Sequence, residues 1–100
     1  MAKYLILWKT KPNSMPTDPK EAATQMKNVM DMTKRMLKDH PGWDYGMFLG
    51  EEEGYILGEM SPEEIQTGGM MFGSFVSSKV YQILSLDEVE KISKSVMAKT

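Results

Sequence analysis

The order of the periodic segments is the feature that most constrains what this chain can fold into. Hydrophobic spacing predicts, in order, a strand, a long helix, two strands, a short helix, a strand and a closing helix. Two strand–helix–strand units around a hairpin are typical of the ferredoxin-like βαββαβ sandwich. We therefore predict an α+β fold, with one ferredoxin-like domain over residues 1–100, an antiparallel sheet and a short C-terminal helix.

Apolar runs and alternation predict the four strands. The first is apolar at every interior position, which predicts that both of its faces are covered. The last strand alternates, with Val76 and Val80 predicted on one face and its Lys79 and Tyr81 on the other. Between the middle strands, Gly54 is expected to take a positive φ in a polar turn. The predicted strands span residues 3–9, 43–50, 55–60 and 75–84.

The longest helix is predicted to start at Asp18, its N-cap, and Pro19, and to run to about Asp39. Its apolar residues form one stripe, opposite a row of charged side chains. Flexible methionines also suit a surface that adapts to partners, but smaller residues share the stripe, so we favour core packing. The stripe consists of Ala22, Met26, Val29, Met30, Thr33, Met36 and Leu37.

Two shorter helices follow. Ser61 is predicted to cap the first of them, with Glu64 completing a capping box. The glycine pair at 68–69 costs about 2 kcal/mol in a helix interior. This helix is therefore expected either to stop near Gln66 or to use the glycines to lie close to the sheet. The last helix begins near Leu86, with Asp87 as its predicted cap.

Composition excludes several classes of function. The net charge is −2 and no basic stripe is present, which argues against nucleic-acid binding. The absence of cysteine excludes disulfides, thiolate metal sites and a cysteine nucleophile. The longest apolar run, residues 4–8, is too short to cross a membrane, and no signal peptide is visible. We expect a cytoplasmic protein with no metal and no cofactor.

The first strand predicts a partner. It offers Leu5 and Leu7 to one side of the sheet, and Tyr4, Ile6 and Trp8 to the other. Two helices can cover only one of these sides, and monomers rarely leave a large apolar surface in water. A homodimer that covers the second side across a two-fold axis is the economical prediction.

Five segments carry a family resemblance. They are the Lys-Tyr-Leu-Ile-Leu-Trp first strand, the aromatic second strand, Gly-Tyr-Ile-Leu-Gly-Glu, Ser-Pro-Glu-Glu and the terminal Val-Tyr-Gln-Ile-Leu-Ser-Leu-Asp-Glu-Val. Together they resemble the dimeric α/β-barrel superfamily, above all its small uncharacterised single-domain members. The resemblance implies a homodimer forming an α/β barrel, with any ligand between sheet and helices. The family includes muconolactone isomerases, cofactor-free monooxygenases and haem-degrading enzymes, so the fold does not fix the function.

The weak catalytic candidates are His40 and Tyr81. His40 is the only histidine, and imidazole is the side chain suited to exchanging protons near neutral pH. A histidine at a helix end is also stabilised by free carbonyls and the helix dipole, and we favour that structural role. The haem ligation of some relatives does not carry over, because His40 lies beyond the predicted helix end.

Aromatic residues are the candidates for ligand binding. Small-molecule pockets are mostly apolar, with a few well-placed polar groups, although core or interface packing explains such residues equally well. A monooxygenase would combine Trp8 or Trp43 with Tyr81 and an asparagine, but Asn13 and Asn28 are placed on a loop and a polar helix face. The predicted ligand-binding residues are Trp8, Trp43, Tyr45, Tyr55, Lys79 and Tyr81.

Three functional hypotheses follow. The leading one is a homodimer that binds a small apolar or aromatic molecule without established catalysis. The second is a cofactor-independent monooxygenase or isomerase that acts on an aromatic or ketone metabolite. The third is a regulatory or protein-interaction domain whose methionine-rich helix contacts another protein.

Overall fold

One four-stranded sheet organises the molecule. A computed structural model describes residues 2–99. The sheet is antiparallel throughout, in the order β2-β3-β1-β4, and three helices accompany it. This confirms the α+β prediction and is compatible with a ferredoxin-like fold. The elements are β1 (Lys3–Thr10), α1 (Pro19–Asp39), β2 (Asp44–Met47), β3 (Glu53–Glu59), α2 (Pro62–Phe72), β4 (Val76–Ile83) and α3 (Leu86–Ala98).

The strand register divides the sheet residues between two faces. Trp8 pairs with Gly54 on one side and Ser78 on the other, while Leu7 pairs with Tyr55 and Lys79. Directly paired residues point to the same face, and successive residues of each strand point to opposite faces of the sheet. One face carries Tyr4, Ile6, Trp8, Tyr45, Ile56 and Val80; the other carries Leu5, Leu7, Tyr55, Leu57, Lys79 and Tyr81.

The ends of α1 and α2 identify the side on which these helices lie. Trp43 lies directly over Gly58, on the face that carries Trp8. His40, which ends α1, stacks on Trp43 and contacts Glu64 in the first turn of α2. The end of α1 and the first turn of α2 therefore lie on this side, which we call the covered face. The side that carries Leu7 and Tyr55 is the open face.

The helix caps are largely as predicted. Asp18 accepts a hydrogen bond from the Glu21 amide at 3.1 Å, and Ser61 and Glu64 form the expected capping box. The prediction that Asp87 caps α3 is wrong. The cap is Ser85, whose hydroxyl accepts from the Glu88 amide while the Glu88 carboxylate accepts from the Ser85 amide. The two hydrogen bonds form together because the hydroxyl residue stands three positions before the glutamate.

Both expectations for the end of α2 are wrong. The helix continues through Gly68 and Gly69 to Phe72. A methyl group added at either glycine would meet no atom of residues 2–99 within 4 Å, so the glycines are not needed for close approach to the sheet. The capping box at the start of α2 and the hydrogen bonds of the continuing helix outweigh the glycine cost.

The hairpin turn lies earlier than predicted. Its positive φ of 81° is at Gly50, and Gly54 is a buried, paired residue of β3. The Phe48 amide donates to the Glu53 carbonyl at 2.9 Å, which closes the turn just after β2. The second strand is therefore shorter than predicted, and Leu49 lies fully exposed in the turn.

The half-buried stripe of α1 matches the predicted one at five of its seven positions, which are Ala22, Val29, Thr33, Met36 and Leu37. Met26 and Met30 are 47% and 53% exposed, which contradicts their predicted place in the core. Gln25 and Met32 are half-buried instead. The side-chain amide of Gln25 donates to the backbone carbonyl of Ser14 at 3.0 Å, so this side of the helix faces the loop after β1.

The protein has a thin core and an extended end. Met60 is the one hydrophobic residue among 2–99 that is fully buried, whereas every residue of α3 is exposed. The longest dimension is 61 Å, and the radius of gyration of 17.2 Å exceeds the roughly 13 Å expected of a compact domain this size. Within residues 2–99, none of the helices combines the length and the apolar character needed to cross a membrane.

Candidate functional site

Two aromatic rings on the covered face form the first candidate site. Trp8 and Tyr45 stack with ring centroids 5.9 Å apart and an interplanar angle of 10°. The Trp8 ring lies over Gly54, where a side chain would collide with it. Burial raises the pKa of Tyr45 above its ordinary value, because the phenolate loses hydration there. The phenol of Tyr45 is therefore a neutral neighbour for Trp8.

The indole N–H of Trp8 gives this pair its chemical character. Its Nε1 atom is buried and has no hydrogen-bond partner among residues 2–99. A buried donor left without an acceptor costs about 1–3 kcal/mol, which an acceptor on a bound molecule would remove. The covered face therefore holds one ring donor whose hydrogen bond is not made within residues 2–99.

The second candidate site joins α1, β2 and α2. His40 stacks on Trp43 with ring centroids 3.8 Å apart and an interplanar angle of 6°. Trp43 is held from its other side by Gly58, and its Nε1 donates to the Glu59 carbonyl at 2.9 Å. The imidazole therefore lies on a fixed aromatic surface, which limits its ring to one orientation.

Glu64 orients the imidazole further. One of its carboxylate oxygens lies 3.1 Å from His40 Nδ1, and the other accepts from the Ser61 amide at 2.9 Å. The Ser61 hydrogen bonds, and secondarily the nearby His40, hold the pKa of Glu64 below its ordinary value. A carboxylate at Nδ1 favours the tautomer with its proton there. The lone pair of His40 is then on Nε2, which has no partner among residues 2–99.

A groove of about 560 Å³ adjoins the His40 ring. It is open to solvent and has polar as well as apolar walls, and Lys3 is one of its lining residues. Such a groove can admit a small anionic or carbonyl compound to the imidazole. The groove is lined by Lys3, Asp39, His40, Pro41, Gly42, Trp43, Asp44, Leu57, Gly58 and Glu59.

The structure does not bring the six predicted ligand-binding residues together. Trp8 and Tyr45 are in contact on the covered face, and Trp43 lies on that face at the His40 groove. The other three predicted residues are on the open face; they are Tyr55, Lys79 and Tyr81. Tyr81 is 48% exposed there.

The open-face residues have a different chemistry. The Tyr55 hydroxyl donates to an Asp44 carboxylate oxygen at 3.0 Å, and this hydrogen bond together with the Asp44 charge raises the pKa of Tyr55. Lys79 is exposed on the edge strand β4. Tyr81, the second catalytic candidate, is thus separated by the sheet from the Trp8–Tyr45 pair.

The residues of the monooxygenase hypothesis are dispersed. Asn13 lies in the loop after β1 with a φ of 61°, and Asn28 lines a separate groove of about 490 Å³ beside α1. Neither contributes to a cluster with Trp8 and Tyr81. Within residues 2–99, no group of three or more histidine or carboxylate side chains is arranged to hold a metal ion.

Sequence reasoning missed the two features that give the sites their chemistry. Glu64 was assigned only to helix capping, and its contact with His40 joins positions 24 residues apart. The capping box itself was the one available signal, because it fixes a carboxylate at a half-buried helix start. Nothing in the sequence indicates that the Trp8 N–H lacks an acceptor. Comparison with family models, curated proteins and solved structures finds no match to this chain.

Proposed function

We propose that the protein is a cytoplasmic homodimer, of the dimeric α/β-barrel type, that binds a small aromatic molecule between its sheet and helices. The single observation that carries the binding proposal is the buried, unpaired N–H of Trp8 beside Tyr45. A ligand with a flat ring and one carbonyl oxygen would stack on these side chains and accept this hydrogen bond. The absence of cysteine accords with a reducing compartment.

The open face supports the dimer. Leu5, Leu7 and Leu57 lie side by side at its centre, and charged side chains such as Lys9 and Glu53 lie toward its margins. An apolar centre with a polar rim is the usual anatomy of a protein interface. Two copies that pack their open faces across a two-fold axis would form the barrel, and each covered face would keep its own ligand site.

Native mass spectrometry of the purified protein tests both parts. We expect twice the chain mass, with a releasable small molecule on each protomer. The binding itself is measured by titration with 1-acetonaphthone, an aromatic ketone, followed by calorimetry. Trp8→Phe keeps the ring but removes the N–H, and should weaken binding by about tenfold.

Trp43→Phe is the matched control. Its N–H is already bonded to the Glu59 carbonyl, so its loss should leave the affinity for the ketone unchanged. Equal affinities of the wild type and Trp8→Phe would contradict the binding proposal, and a monomeric mass would contradict the dimer.

The His40–Glu64 pair favours a second candidate function, proton transfer on a ketone substrate, as in an isomerase. The 3.1 Å contact at Nδ1 leaves Nε2 as the base, next to a groove that Lys3 helps to line. A cation there would attract the carboxylate of a 2-oxo acid and stabilise developing enolate charge.

The keto–enol tautomerisation of phenylpyruvate tests this second candidate. We expect catalysis by the wild type that is lost in His40→Asn. Glu64→Gln should keep the capping box but favour the other imidazole tautomer, with a proton on Nε2. Nitrogen NMR of His40 reports that tautomer directly. No catalysis by the wild type, or full activity in Glu64→Gln, would exclude this role.

A further inference from the structure

The charges of the open face are divided by sign between its two halves. The strand order β2-β3-β1-β4 places the midline of the sheet between β3 and β1. On this face, every charged side chain of β2 and β3 is acidic, and every charged side chain of β1 and β4 is basic. We call these the acidic half and the basic half. The acidic half carries Asp44, Glu53 and Glu59, and the basic half carries Lys3, Lys9 and Lys79.

The strand register arranges most of these charges in two rows that cross the sheet. Lys3 pairs with Glu59 in the row at one end of β1, and Lys9 pairs with Glu53 in the row at the other end. An apolar band lies between the two charged rows, and its central side chains are half-buried. These central residues are Leu5, Leu7, Tyr55 and Leu57.

The charged rows distinguish two ways in which a pair of open faces can pack with their strands aligned, as packed sheets are to within about 30°. A two-fold axis perpendicular to the strands would exchange the rows, and Glu59 would lie over Glu53 of the second copy. An axis along the midline would keep each row over itself and exchange the halves. Glu59 would then lie over Lys3 of the second copy. Like charges facing each other across an interface are unfavourable, so the charges favour the axis along the midline.

The same axis gives Lys79 a place to bind. Lys79 makes no ion pair within residues 2–99. The axis along the midline would place it over Gly46 of the second copy, in the row that joins Gly46, Tyr55 and Leu7. The Tyr55 ring lies over Gly46, and its hydroxyl donates to Asp44. The ammonium group would therefore meet an aromatic ring and a carboxylate.

This match of one half with the other identifies the occupant as a second copy of this chain. Across a two-fold axis a surface must be complementary to itself. The open face meets this condition in charge, and also in its apolar band, where Leu57 would lie over Leu5 and Tyr55 over Leu7 of the second copy. An unrelated partner requires no such match between the two halves of one face.

We propose that two copies of this chain pack their open faces about a two-fold axis that runs along the midline between β3 and β1. The acidic half of each copy then lies on the basic half of the other. This proposal rests on the homodimer proposed above and adds to it the orientation of the two sheets and the groups that face each other.

Reversal of one charge tests the orientation in the full chain. In Lys9→Glu the new carboxylate would face Glu53 of the second copy twice in each dimer, and we expect the dimer dissociation constant to rise about tenfold. About an axis perpendicular to the strands it would face Lys3 instead, and the dimer would become tighter. Lys27→Glu is the matched control, because it makes the same change of charge at an exposed position of α1. Analytical ultracentrifugation at low salt measures all three proteins.

The double variant Lys9→Glu/Glu53→Lys separates the interface from the fold. The single variant also breaks the ion pair of 3.5 Å between these residues within one chain, which the double variant restores with its charges exchanged. We expect the double variant to dimerise as tightly as the wild type. A double variant tighter than the wild type would indicate the perpendicular axis and overturn the proposal, and so would equal weakening by Lys9→Glu and Lys27→Glu.

The wild-type mass separates this proposal from the one on which it rests. A wild-type monomer would overturn both the homodimer and its orientation. A wild-type dimer whose Lys9→Glu variant is as tight as the wild type or tighter would overturn the orientation alone and leave the homodimer standing.

Discussion

The two faces of the sheet are built from the same four strands and yet support different chemistry. On the covered face, Trp43 is held between Gly58 and His40, and Trp8 lies over Gly54 against Tyr45. On the open face, Lys79 and Tyr81 are exposed. A ligand site needs fixed groups, whereas an interface needs a broad apolar surface, so each face suits one of these roles.

Two tyrosines, one on each face, show the difference between the faces in their pKa values. The pKa of Tyr45, on the covered face, is raised by burial, which removes water from the phenolate. The pKa of Tyr55, on the open face, is raised by its hydrogen bond to Asp44 and by the charge of that carboxylate. The pKa is therefore raised by lost hydration on one face and, on the other, first by a hydrogen bond to a carboxylate and then by its charge.

The largest effect is expected for Tyr81→Glu, which places a charge in the proposed sheet interface. Burying an unpaired carboxylate there should weaken dimerisation by about 100-fold or more. Gln82→Glu is the control, because it adds the same charge one residue away, on the other face. Analytical ultracentrifugation of both variants measures the change. Equal dissociation constants would mean that the open face is not the interface.

The sequence predicted the elements of the fold because its signals are local. The order of strands and helices along the chain, the Asp18 and Ser61 caps and the alternation of Lys79 and Tyr81 with Val80 all follow from spacing within a few residues. The errors arose where a neighbour decides the outcome. Gln25 is half-buried and bonded to the loop after β1, and no pattern within the helix records that contact.

The candidate sites were less predictable for the same reason. Alternation separated the faces of each strand, but only the register showed that Trp8 and Tyr45 share a face while Tyr55 and Tyr81 do not. The contact between Glu64 and His40 depends on where α1 ends and where α2 begins, because the two residues lie at those termini. Such contacts between distant segments are set by tertiary packing, which a single sequence does not display.

A smaller effect is expected for glycine substitutions on the two faces. Gly58→Ala would drive a methyl group into Trp43, whose ring cannot move between its bond to Glu59 and its stack on His40. The free energy of unfolding should fall by about 1–3 kcal/mol.

Gly46→Ala is the matched substitution on the open face. Its methyl group would meet the Tyr55 ring, which can give way by losing its exposed hydrogen bond to Asp44, so the loss should be about 1 kcal/mol. Urea denaturation in the Tyr81→Glu background compares the two without a contribution from the dimer. A larger loss at Gly46 would reverse the assignment of the faces.

The smallest effect is a change in the pKa of one tyrosine, which distinguishes the causes of the two raised pKa values. Asp44→Ala should lower the pKa of Tyr55 toward its ordinary value of 10.0 and leave that of Tyr45 raised. A raised phenol pKa stabilises the folded state below pH 10.0, and this stabilisation is lost as the pH rises through the folded-state pKa. The variant lacks this stabilisation, so it should be less stable at neutral pH relative to its stability at high pH. Carbon NMR of the tyrosine Cζ atoms follows each phenol separately. A shift of Tyr45 together with Tyr55 would show that one charge reaches both faces, and that the sheet does not separate them electrostatically.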